Sequence, residues 1–504
     1  MKLLPKIRRV LAVLVLLAVT LLFLDFTGAL RHWLGWLAKI QFLPAVLALN
    51  LVIVAVLVLF TLVLGRSYCS IICPLGIFQD GVSWLSGQRD KRRKRLRFSY
   101  KKEIKWLRYG VLALFVVAII LGINAFVAIL APYSAYGRIV TNLFQPVYRW
   151  GNNLLATIAA NHESYAFFTK DVWLKSLPTF IIAAVTFVIL VILAWKGGRT
   201  YCNSVCPVGT TLSFFSRFAM FRPVIDSDKC KNCHICERGC KASCINIAEH
   251  KIDYSRCVDC FNCLENCKFD ALEYKFAWGG KAKGASAPAV NPEDPGRRAF
   301  LASGALLATA LTVEAQEKKV DGGFATVLGK KEPERTGRLV PFGAKGVKNF
   351  YDHCTACGLC ISQCPNQVLR PSSDLMHLMQ PYMSFEDGYC RPECTACSQV
   401  CPAGAILPLT PEEKTQIHVG AATVDYDLCI VNADGVSCGN CSRHCPVFAI
   451  HMVKKDPDDP DSLSIPAVDT EICIGCGACE NLCPARPYSA IHVNGREVHI
   501  DNRR

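Results

Sequence analysis

The chain has 504 residues, 29 of them cysteine, with 52% hydrophobic and 19% charged residues. That length calls for several domains, since single cores seldom grow past ~250–300 residues. The apolar bias excludes intrinsic disorder for most of the chain and argues against a purely soluble protein. The net charge of +15 is uneven: residues 346–504 carry 11 Lys+Arg against 19 Asp+Glu. The basic excess lies beside hydrophobic segments, where membrane topology explains it better than nucleic-acid binding.

Four uncharged apolar stretches, residues 10–24, 43–64, 109–131 and 178–195, predict four transmembrane helices. Three of them match the ~20 residues a helix needs to cross a bilayer, and residues 26–30 extend the first beyond Asp25. Trp33, Trp36, Trp106, Trp150, Trp173 and Trp195 lie near the predicted ends, as interfacial aromatics do. Lys2, Lys6, Arg8 and Arg9 precede the first stretch, and a run from Arg89 to Arg95 lies between the second and third. Positive residues stay inside, so the N-terminus, the middle loop and the segment after Trp195 are expected in the cytoplasm.

The membrane part, residues 1–221, contains an internal two-helix repeat. Gly65-Arg66-Ser67-Tyr68-Cys69-Ser70-Ile71-Ile72-Cys73-Pro74-Leu75-Gly76 returns 133 residues later as Gly198-Arg199-Thr200-Tyr201-Cys202-Asn203-Ser204-Val205-Cys206-Pro207-Val208-Gly209. Both halves begin inside, so an axis along the membrane normal relates them and can bring the four thiols together. Spacing of i, i+4 puts the sulfurs of each pair on one helical face. Such thiols can form a reversible disulfide, bind a soft metal such as Cu(I), or jointly hold an iron–sulfur centre.

Residues 222–278 contain Cys230-x2-Cys233-x2-Cys236-x3-Cys240 and Cys257-x2-Cys260-x2-Cys263-x3-Cys267. Doubled spacing of this kind marks a bacterial two-cluster ferredoxin, in which each fourth cysteine serves the other [4Fe–4S] cluster. Cys230, Cys233, Cys236 and Cys267 are assigned to one cluster, and Cys257, Cys260, Cys263 and Cys240 to the other. Cys244 is left over, to pack in the core or to compete with Cys240. Zinc and c-type haem fit the two matched runs less well.

Residues 279–296 read as a Gly/Ala/Pro-rich linker. Arg297-Arg298-Ala299-Phe300-Leu301 then opens an uncharged stretch up to Val313, so residues 297–315 have the pattern of a twin-arginine signal placed internally. A second linker, 316–345, leads to the acidic tail, 346–504, which the signal would deliver to the periplasm. Four cysteine groups follow there: Cys354, Cys357, Cys360, Cys364; Cys390, Cys394, Cys397, Cys401; Cys429, Cys438, Cys441, Cys445; and Cys473, Cys476, Cys479, Cys483. Each ends in a Cys-Pro corner, and the pattern predicts four more cubane clusters, about six in all.

With these motifs in place, residues 1–275 resemble the NapH/MauN membrane ferredoxins, and residues 297–504 resemble the NapG/MauM four-cluster ferredoxins. The likeness implies an α-helical membrane domain fused to α+β ferredoxin-like domains. It also implies that in the tail the first and fourth groups pair around the second and third. Cys483 would then complete Cys354, Cys357 and Cys360; Cys364 would complete Cys473, Cys476 and Cys479. Cys445 would likewise join Cys390, Cys394 and Cys397, and Cys401 would join Cys429, Cys438 and Cys441.

The implied activity is that of a quinol-dehydrogenase-like respiratory subunit, passing electrons from membrane quinol to a periplasmic reductase or cytochrome. Asn50, Asn124, Tyr133, Tyr136 and Arg138 are the candidates for the quinol site. None of the eleven histidines falls inside a predicted span, which argues against a membrane b-haem. The rival reading is a copper-handling or metalloenzyme maturation factor that uses Cys69, Cys73, Cys202 and Cys206; it leaves the cysteine-rich tail without a role.

Overall fold

A computed structural model describes residues 3–88, 98–164, 166–170, 172, 176–278 and 328–503. The Arg89–Arg95 run, Trp173, the first linker, the twin-arginine-like segment and residues 316–327 lie outside the described residues.

Helices Leu4–Leu24 and Leu177–Gly197, of 21 residues each, are long and apolar enough to cross a membrane. The other two expected spans are not continuous. The 43–64 stretch divides into Phe42–Leu47 and Leu51–Leu64, because Asn50 caps the second segment by accepting from the Ile53 amide and Leu49 takes a positive φ. The 109–131 stretch divides into Lys105–Ile120 and Asn124–Leu130 at Gly122, also at positive φ. Asn and Gly favour such breaks, since a side-chain cap and a left-handed turn both satisfy backbone groups that a helix end leaves free. Outward-facing Val13, Leu14, Leu17, Val56, Leu59, Val116, Val117, Val188 and Ile192 leave a broad apolar belt exposed.

The two halves repeat the same elements. Leu51–Leu64 and Leu177–Gly197 each end at a positive-φ glycine, Gly65 or Gly198. Each is followed by a short cysteine helix, Tyr68–Ile71 or Thr200–Ser204, and then a helix opened by proline, Pro74–Gln88 or Pro207–Ser216. Proline suits a first helical turn, whose amides have no partner in the helix.

The first cysteine module is framed by the antiparallel pair Phe221–Ile225 and Leu272–Phe276, with a smaller pair, Ile245–Asn246 and Lys251–Ile252. It meets the N-terminal end of helix Leu4–Leu24, where Arg9 pairs with Glu265 at 3.1 Å. The second module is built on three antiparallel strand pairs, of which Ile417–Val424 with Ile491–Asp501 is the longest. Its core includes Val340, Phe350, Phe385, Val419 and Val493. It meets the other end of the same helix: Gln363 Nε2 donates to the carbonyls of Leu22 (2.8 Å) and Asp25 (2.9 Å). Those contacts lie well apart along the 21-residue helix, about 20 Å from Arg9 to Leu22 at 1.5 Å per residue.

Candidate metal centres

The cysteine loops share a local conformation. In Cys-x-x-Cys-x-x-Cys the residues two and four after the first cysteine have positive φ: Asn232 and His234, Asp259 and Phe261, Ala356 and Gly358, Gly475 and Gly477. Alternation of this kind curls the chain around a centre, turning successive amides inward into a nest for a negatively charged group. Five of those eight residues are not glycine, and each pays a left-handed penalty of about 1–2 kcal/mol that a bound group must offset.

Each curl is completed by a cysteine from elsewhere. Cys230, Cys233, Cys236 and Cys267 line one cavity. Cys263 lies within electrostatic reach of Cys257, Cys260 and Cys240. These are the exchanged sets expected from the doubled motif. Cys244 is neither remote nor neutral to the second set: its Sγ lies 3.5 Å from that of Cys240 and it also bonds Cys257.

In the second module the nested pairing is wrong. Cys390, Cys394 and Cys397 share a cavity with Cys364, and Cys429, Cys438 and Cys441 share one with Cys483. Cys354 and Cys357 have Cys401 within reach, and Cys473 and Cys476 have Cys445. Groups one and two therefore exchange cysteines, as do groups three and four. Consecutive groups form two ferredoxin-like units, and the long Ile417–Val424 strand separates them.

The units follow one another in space. Cys360 reaches Cys397 within the first, the Cys390 amide donates to the Cys476 carbonyl at 3.0 Å between them, and Cys479 reaches Cys441 within the second. The Cys354 set lies against the helical part, where Gly137 is so close to the Cys357 carbonyl that a Cβ would strike it. The Cys429 set is at the far end, near exposed Val436 and Phe448.

The thiols suit an iron–sulfur group. Burial pushes Cys357 and Cys476 up to about 12, and Cys390 up to about 11, so these sulfurs need a positively charged core to stay ionised. Among the described residues no three Cys, His, Asp or Glu side chains are grouped closely enough to hold a single metal ion. Four thiolates per cage is the ligand set of a cubane cluster.

Lys414 is a cage neighbour that the sequence did not reveal. It is 2% exposed, and its Nζ donates to Cys390 Sγ at 3.2 Å and to the Cys394 carbonyl at 2.7 Å. The helix Pro411–Lys414, started by a Thr410/Glu413 capping box, puts it there. Its separation of 24 residues from Cys390 hides it from any local motif.

Residues 46–96 and 178–224 match a family described as a 4Fe-4S binding domain. Residues 353–430 and 436–486 match a 4Fe-4S dicluster domain, a division that agrees with the two consecutive units. A methylamine utilization ferredoxin-type protein MauM from Methylobacillus flagellatus is 32% identical over 182 residues, 35% of this chain and 77% of the relative. The chain belongs to the MauM/NapG ferredoxin-type proteins. Ferredoxin-type protein NapG from Haemophilus influenzae is 30% identical over 39% of the chain and 70% of its own length. NapG from Escherichia coli K12 is 31% identical over 32% and 73%. A further dicluster match, 253–368, joins motifs that this MauM/NapG-type chain holds at opposite ends of helix Leu4–Leu24. It follows the shared cysteine spacing, not a single folded unit.

Of the quinol-site candidates, Asn50 is a helix cap, Asn124 starts a short helix, and Tyr136 bonds Thr20 Oγ1 at 2.6 Å. Tyr133 and Arg138 differ. Both are buried, and the Tyr133 hydroxyl and the Arg138 Nε and Nη2 have no hydrogen-bond partner. They stand beside Cys357.

Proposed function

We propose that the protein relays electrons between membrane quinol and a redox partner protein, using six [4Fe–4S] clusters held by the 24 cysteines of the two modules. Iron–sulfur electron transfer is the established part, from the family and its dicluster domains. Bound clusters supply one-electron carriers whose potentials depend on charge, hydrogen bonding and exposure. The observation that carries the reading is the succession of cysteine cages in the second module, from one against the membrane part to one at an exposed end.

On this reading residues 1–221 form the NapH/MauN-type membrane domain, with helices Leu4–Leu24, Leu51–Leu64, Lys105–Ile120 and Leu177–Gly197 as its walls. The first module, 222–278, faces the cytoplasm. The second, 346–504, faces the periplasm, exported through the 297–315 signal. The exposed apolar belt and the docking of the modules at opposite helix ends support that arrangement. Tyr133 and Arg138 supply the quinol site: buried, unpartnered donors beside the first cage of the second module can orient a quinol oxygen by hydrogen bonding.

Adding a reduced menaquinol analogue to the full chain in liposomes, without oxygen, should bleach the cluster absorbance. Arg138→Met should slow the bleaching at least tenfold without loss of iron. No bleaching in the unmodified protein would overturn the quinol link.

A further inference from the structure

The thiol pairs Cys69/Cys73 and Cys202/Cys206 are not needed by any of the six cages, yet the fold brings them together. The two repeats grip each other reciprocally. Arg66 Nη2 donates to the Cys202 carbonyl at 3.3 Å, and Arg199 Nη1 donates to the Cys69 carbonyl at 2.6 Å. A Cβ on Gly76 would run into the Cys69 carbonyl and Arg199, and one on Gly209 into the Cys202 carbonyl and Arg66. The glycine of each Cys-Pro-x-Gly therefore permits the crossing. The result is a two-fold seam with all four cysteines 4–5% exposed and within electrostatic reach of one another.

We propose that Cys69, Cys73, Cys202 and Cys206 jointly ligate one iron–sulfur core at the seam between the repeats, joining the first module to the second. The proposal rests on the reading of the chain as an iron–sulfur electron carrier. Each repeat supplies only two thiols, so neither can complete a four-thiolate centre alone.

Buried cations and hydrogen-bond donors surround the four sulfurs. The Arg66 guanidinium is fully buried and donates to the oxygens of Asn203, Ser255 and Cys202, with Asp259 also within electrostatic reach. Cys202 lies near both Arg66 and Arg199. Cys202 Sγ accepts from Gln79 Nε2 at 3.3 Å, and Cys206 Sγ accepts from the Gly209 amide at 3.4 Å.

The seam also occupies the right place. Gly65 abuts Asp259 of the Cys257 loop, and Gly198 abuts Lys241, next to Cys240. On the other side Tyr68 lies near Cys69, Cys73 and Cys206, and Tyr133 lies near Tyr68, Cys357 and Cys401. Each passage is a one-electron exchange: the core is reduced as its neighbour is oxidised, and no ligand or proton is lost.

The test uses the full chain, purified in detergent without oxygen, with iron, sulfide, copper and zinc counted and Mössbauer spectra recorded. Cys73→Ser and Cys206→Ser should each lose the same spectral component, about two to four iron atoms, leaving about 24. The double variant should lose no more than either single one. Additive losses, unchanged iron, or stoichiometric copper or zinc in the unmodified protein would overturn the proposal. Should the variants fail to accumulate, unmodified protein with no iron beyond about 24 would also overturn it. A near-absence of iron would instead defeat the six-cluster reading beneath it.

Discussion

Lys414 offers a quantitative test of how this protein sets a redox potential. Its ammonium is buried and 3.2 Å from Cys390 Sγ. An electron added to a cluster held by Cys390, Cys394, Cys397 and Cys364 arrives about 6 Å from that charge. At an effective dielectric near 20 the attraction is about 3 kcal/mol, or ~120 mV for a one-electron couple. Lys414→Met should therefore make that cluster's potential more negative by on the order of 100 mV, whereas Lys414→Arg should keep most of the charge effect. The assay is a potentiometric titration followed by electron paramagnetic resonance on the full chain, with the other clusters as internal references. A shift smaller than about 20 mV, or one in the positive direction, would refute the electrostatic reasoning.

Three more expectations concern ligand pairing, the module interface and pH. Cys364→Ser should alter the same resonance signal as Cys390→Ser and leave that of Cys473→Ser untouched; the nested pairing requires the reverse. Asp80 accepts from Arg8 (2.9 Å), Arg199 (2.6 Å) and Lys241 (2.6 Å), so it joins the first helix, the second repeat and the first module. Asp80→Asn strands buried cations and should cost about 3–5 kcal/mol, read as a lower melting temperature that Lys241→Met partly restores; an unchanged melting temperature would contradict this. Burial alone holds His499 down at about 4, against an ordinary value of 6.5. Between those values only the unfolded chain takes up the proton, so its contribution is complete above pH 6.5 and falls by up to about 3 kcal/mol as pH drops to 4. Cluster loss in denaturant should quicken over that window, and His499→Gln should flatten the profile.

Spacing made the cysteine groups readable because each Cys-x-x-Cys-x-x-Cys is one local curl of chain. Its exchanged partner was readable in the first module, where only two groups exist and one pairing is possible. In the second module the partner depends on which hairpins separate which groups, a property of tertiary topology that the motif does not contain. The repeat was visible as an offset of 133 residues, but the reciprocal Arg66 and Arg199 contacts needed coordinates. Apolar runs located two helices long enough to cross a membrane, yet a hydropathy reading expected four and passed over Asn50 and Gly122, whose cap and left-handed turn divide the other two. Lys414 was invisible for the plainest reason: its target is distant in sequence and its own segment resembles any capped surface turn.

The central claim is that most of the cysteines in this chain hold cubane iron. Iron and acid-labile sulfide counted per chain in anaerobically purified, full-length protein test it most directly. The expected result is at least about 24 of each, with paramagnetic signals appearing on reduction. Material with only a few iron atoms per chain and no signal after reduction would contradict it.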